Sequence, residues 1–123
     1  MTKIDHAHQL REDTKKHYNC SQASFLPFCK ELGIDEDTAY KIAANFGSGM
    51  RHGSTCGAVS GVLMALGLAG KDEKTAAAFL RKFREKNGSL ICHQLLANHS
   101  ADKKEHCDTM VYDAVAIGEE LIK

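Results

Sequence analysis

The chain has 123 residues, 43 % hydrophobic and 26 % charged, long enough for one domain that builds its core without disulfides. Sixteen basic against sixteen acidic side chains leave no net charge. No stretch gathers one sign beyond a few neighbours, so nucleic acid and anionic membrane are poor partners. The N-terminus has no apolar leader and no apolar run is long enough to span a bilayer, so the chain reads as cytoplasmic and as one domain over residues 1–123. In that reducing compartment five cysteines are better explained by metal or redox chemistry than by a disulfide framework, and an odd number cannot all pair within one chain.

Residues 4–18, with apolar positions at Ile4, Ala7, Leu10 and Tyr18, predict a mostly exposed helix. Asn19 followed by Gln22 has the form of a capping box and places Cys20 in the first turn of the next helix, which carries Ala23, Leu26, Cys29 and Leu32. Pro27 should kink or split that helix, and Gly33 should end it. Asp35 caps a further helix with Ala39, Ile42, Ala43 and Phe46 at helical spacing, stopped by Gly47.

A glycine-rich loop, 47–55, then leads into Cys56 and a helix over 56–68 that Ser54 or Thr55 can cap. A thiol at a helix start is biased toward thiolate, which makes Cys56, with Cys20 as partner, the candidate for redox attack. Gly57, Gly61 and Ala65 form a row of small residues that admits close approach of another element, within the chain or across a homodimer, and Gly57, Ala58 and Gly61 leave room beside Cys56 for a cofactor. This helix is expected to be the buried one. The loop lacks the GK[ST] ending of a phosphate-binding loop and follows no strand, so nucleotide binding is a minor reading. It holds Arg51 and His52 near Cys56, where they either stabilise a thiolate or face solvent.

After Gly70, Asp72 caps an amphipathic helix with Ala76, Phe79, Leu80 and Phe83 inward, closed by Gly88. Ser89 caps a short helix whose first turn holds Cys92, and a polar connection over 98–104 leads to a last helix. That helix lines up Cys107, Met110, Val111, Ala114, Gly118 and Leu121, with Asp102 and Glu105 forming a capping box. No segment alternates as a strand does. The expected fold is all-α, a compact bundle of about six helices.

Cys20, Cys56, Cys92 and Cys107 share no close spacing of the kind found in zinc ribbons or CxxC motifs. Three of them share a position, the first turn of a helix, so convergence of the helix starts would bring their sulfurs together. Asn19-Cys20-Ser21-Gln22, Phe46-Gly47-Ser48-Gly49-Met50, Cys56-Gly57-Ala58-Val59-Ser60-Gly61, Gly88-Ser89 with Cys92 and Leu95-Leu96, and Cys107 together resemble the four-cysteine CGAxxG family, written C_GCAxxG_C_C, which is assigned to redox chemistry. The resemblance runs over roughly residues 15–120. The family usually has glycine where this chain has Ser48, and a different pattern at His93, Gln94 and Ala97; Cys29 lies outside it.

A related module accompanies haem and an iron-sulfur centre in split-Soret-type cytochromes. The resemblance thus implies an iron-sulfur cluster of open type, held by Cys20, Cys56, Cys92 and Cys107 for electron transfer with a redox partner protein. There is no CxxCH, so covalent haem is not implied. The alternatives are a cofactor-free thiol oxidoreductase or redox sensor in which Cys56 attacks and a second cysteine resolves, and a structural zinc or partner-binding bundle.

Overall fold

The computed structural model describes residues 2–97 and 103–123. These form α1 (Lys3–Glu12), α2 (Cys20–Cys29), α3 (Glu36–Ala43), α4 (Gly57–Leu68), α5 (Glu73–Asn87), α6 (Cys92–Ala97) and α7 (Lys103–Ile122). Among the described residues there is no strand, only an isolated antiparallel bridge between Thr55 and Ile91. The fold is all-α, and no described helix is long and apolar enough to cross a membrane.

The most buried element is α2, in which all ten residues are buried, rather than the expected α4. It is walled by α1, α3, α4 and α7. Its sequence hides this, because Ser21, Gln22 and Ser24 read as polar. Burial of the last two is tolerated because they are satisfied internally. Ser24 Oγ donates to the Ser21 carbonyl at 3.2 Å and to the Gly57 carbonyl at 3.4 Å. Gln22 accepts from the Asn19 N–H at 2.8 Å and donates to the Tyr40 carbonyl at 2.9 Å.

Pro27 does not split this helix. It stands two residues from the end, so its missing N–H costs one bond, and packing on every side holds the rest. The helix ends at Cys29, before Gly33, where the N–H groups of Leu32 and Ile34 fold back onto the Cys29 carbonyl at 3.1 and 3.0 Å. The first helix is also shorter than its apolar pattern predicts, stopping at Glu12. Just beyond it, the Asp13 carboxylate accepts the N–H groups of Lys15 and Lys16 at 2.8 and 3.0 Å and draws the chain into a turn.

The small-residue row of α4 packs within the chain, against α2. An alanine Cβ at Gly57 would overlap Cys20 Sγ, and one at Gly61 would overlap the Ser24 hydroxyl. This contact answers the choice between neighbour and homodimer for that row. Beyond it, Val59, Val62 and Leu66 of α4, Phe79 and Phe83 of α5, and Val111, Ala114 and Val115 of α7 complete one apolar core.

Asn19 joins two parts of this frame. Its carboxamide accepts the Gln22 N–H at 2.9 Å, completing the capping box of α2, and donates to the Ala44 carbonyl at 3.0 Å in the loop after α3. Asn19→Ala is expected to cost about 1–2 kcal/mol in urea unfolding, the worth of a cap with one further bond. Asn19→Asp keeps the cap, loses the donor, and should fall between the two.

Candidate functional site

Three cysteines stand at helix starts as their neighbours predict: Cys20 is the first residue of α2, Cys92 the first of α6, and Cys56 the N-cap residue of α4. The capping details differ at two of them. Ser54 and Thr55 do not cap α4, because Thr55 is extended in the bridge to Ile91. The Cys56 N–H donates to the Leu90 carbonyl at 2.8 Å and the Cys92 N–H to the Ser54 carbonyl at 2.6 Å. Cys56 and Cys92 therefore follow the two residues of one bridge, at matching positions. Ser89 does not cap α6 from outside; its hydroxyl accepts the Ile91 N–H at 3.0 Å and donates to Gln94 at 2.6 Å, fastening the turn before the helix.

The loop that delivers Cys56 is strained. Ser48, Gly49, Met50 and Arg51 all have positive φ, at 53°, 63°, 61° and 66°, a left-handed turn that costs about 1–2 kcal/mol for each non-glycine residue. The turn is closed by the Ser54 N–H on the Gly49 carbonyl at 2.8 Å. Gly49 is required twice over, for its φ and because a Cβ there would lie 2.7 Å from Cys92 Cβ. The left-handed conformation of Ser48 is one that glycine would adopt without steric cost.

Cys20, Cys56, Cys92 and Cys107 all line one cavity of about 450 Å³. Its wall also includes Arg11, His17, Arg51, His93, Lys103 and His106; among the described residues no Asp or Glu lines it. Gly57 and Gly61 lie outside this lining, pressed on α2, and Ala58 is fully buried beside them. Cys29 is remote from the cavity and donates to the Phe25 carbonyl within its own helix at 3.3 Å, as a core residue does. The expected capping box of the last helix rests on Asp102, outside the described residues.

The electrostatics overturn one expectation, that a helix start would make Cys56 a ready thiolate. Burial pushes its thiol up from 9.0 to about 12, with the charges of Cys20 and Cys92 acting in the same direction. The N–H groups of Ala58 and Val59 pull it down, but less strongly. Desolvation of a nearly buried sulfur outweighs the dipole of one helix end. Cys92 and Cys107 are also raised by burial and then by the charge of Cys20, opposed by Lys103 and Arg11 respectively.

Arg51 reaches the cavity wall, but its guanidinium is engaged by Asn45 at 2.8 Å and the Ala44 carbonyl at 3.4 Å, and His52 is exposed. Sequence reasoning missed Arg11, Lys103 and His106, because the first two were assigned to exposed polar segments and adjacency to Cys107 says little about His106. Arg11 finds its partner Asp108 across 97 residues of sequence, a pairing no local motif announces.

No group of three or more His, Cys, Asp or Glu side chains among the described residues is placed to hold a metal ion. A family model described as "Putative redox-active protein (C_GCAxxG_C_C)" matches residues 18–121. No curated protein and no solved structure matches the chain.

Proposed function

Because the chain belongs to the C_GCAxxG_C_C family, whose description is redox activity, we propose that its four family cysteines form one electron-transfer site holding a small iron-sulfur cluster. The observation that carries this reading is that Cys20, Cys56, Cys92 and Cys107, from four different helices, line a single cavity whose described wall contains Arg11, Arg51 and Lys103 but no carboxylate. When bound, the cluster supplies one-electron chemistry at the sulfurs. The protein's share is to exclude water, to present the thiols, and to balance the charge that their ionisation creates.

A protonated, buried Cys56 is a poor attacking group, whereas a metal ion ionises a thiol it binds. Gly57 and Gly61 act indirectly, by letting the Cys20 sulfur lie against α4 beside Cys56. A redox partner protein in a reducing compartment completes the proposal.

One observation favours a second reading, a metal-free dithiol couple. The Thr55–Ile91 bridge sets Cys56 and Cys92 at matching positions of one pairing. Anaerobic purification, with iron and sulfide reconstitution, separates the two. The cluster reading expects a coloured protein with iron and acid-labile sulfide, losing most of both on Cys92→Ser and neither on Cys29→Ser. A colourless protein that titrates two electrons through its thiols would establish the dithiol couple instead.

A further inference from the structure

The first helix contributes no cysteine, yet it sends one side chain into the cavity wall. Arg11 lines the cavity with its side chain only 9 % exposed. Its Nε donates to Asp108 Oδ1 at 2.6 Å and its Nη1 to the Tyr18 carbonyl at 2.9 Å. Asp108 directly follows Cys107 on α7, and Tyr18 lies two residues before Cys20. One guanidinium therefore ties the segments that carry the first and the last of the four cysteines. Its planar fork allows two fixed bonds in different directions, which a lysine ammonium does not reproduce.

Asp108 is shared, since its other oxygen accepts from Lys104 Nζ at 2.9 Å. Lys103 lines the same cavity as Arg11. A fixed positive charge in a poorly hydrated wall acts strongly on charge that appears inside it.

We propose that Arg11 is the positioning residue of the four-cysteine site, holding the Cys20 and Cys107 segments together across the cavity and raising the reduction potential of the couple those cysteines carry. This rests on the iron-sulfur reading above. Each electron that the redox partner delivers to such a site would add one negative charge facing the guanidinium. A dithiol differs, because two electrons and two protons turn a sulfur–sulfur bond into two neutral thiols and leave no added charge for Arg11 to offset.

The test is anaerobic potentiometry of the iron- and sulfide-reconstituted full chain, with dithionite and mediator dyes, on wild type, Arg11→Gln, Arg11→Lys and Asp108→Asn. Arg11→Gln should shift the reduced-to-oxidised ratio at fixed poise about tenfold toward oxidised, ~59 mV lower for a one-electron couple. Arg11→Lys keeps the charge and loses the clamp, so its potential stays near wild type while its unfolding midpoint drops. A purely structural Arg11 would leave the potential of folded Arg11→Gln unchanged, and that result overturns the proposal. If Arg11→Gln does not fold, Asp108→Asn decides: removing the carboxylate should raise the potential, and an unchanged or lower value overturns the proposal. A wild-type protein that titrates no electrons defeats the redox reading and this inference together, whereas a titrating wild type with an indifferent Arg11→Gln defeats the inference alone.

Discussion

Gly61→Ala is expected to destabilise the protein by about 2 kcal/mol, while Gly67→Ala on the same helix stabilises it by about 0.5 kcal/mol. In an isolated helix both changes would help, because alanine loses less backbone freedom than glycine. The difference is tertiary. A Cβ at Gly61 would overlap the Ser24 hydroxyl, which is short, and stand 2.6 Å from the Ser21 carbonyl oxygen and 3.2 Å from the Phe25 nitrogen, which are backbone. Relief requires α2 and α4 to separate. At Gly67 nothing lies within 4 Å.

Urea unfolding followed by helical circular dichroism measures both. Equal stabilisation by the two substitutions would show that α2 does not press on α4 there. Adding Ser24→Ala to Gly61→Ala should recover part of the loss and no more, since the Ser21 carbonyl remains. Gly57→Ala acts at the site itself, because the overlapped atom is Cys20 Sγ, and it should displace that sulfur from its place beside Cys56.

The reduced, metal-free protein should alkylate at Cys56 about 1,000-fold more slowly at pH 8 than an ordinary cysteine, because only the thiolate reacts and the thiol is held near 12 against 9.0. The sign in stability follows. Unfolded Cys56 ionises near 9 while folded Cys56 stays protonated to about 12. The contribution is therefore fully present below pH 9 and is lost, at about 1.4 kcal/mol per pH unit, as pH rises from there toward 12. Cys29, also pushed up to about 12 by burial, steepens the same decline. Iodoacetamide labelling resolved by peptide mass spectrometry checks the first statement, and urea midpoints between pH 8 and 10.5 check the second. Labelling of Cys56 as fast as in unfolded protein would return it to the role of nucleophile.

Much of the local structure was legible in the residues themselves. Asn19 with Gln22, Asp35 and Asp72 mark helix starts, Gly88 ends α5 in the left-handed region at φ 89°, and each does so through contacts within a few residues. Failures came where a distant partner competes. Pro27 leaves its helix whole because four neighbouring helices hold it, and Thr55 is drawn from capping into a bridge by Ile91.

The same division runs through the site. Sequence alone determined that three of the cysteines stand at helix starts, because capping is local chemistry written in adjacent side chains. It also determined that Gly57 and Gly61 must meet something closely, though not what. Only the tertiary structure decided that the something is α2, that four cysteines line one cavity, and that Arg11 joins its wall from a helix without a cysteine. It also reversed the expected ionisation of Cys56. A helix dipole is set by the residues of one turn, whereas desolvation is set by everything packed around the sulfur, and here the larger of the two effects is the one that no local stretch of chain encodes.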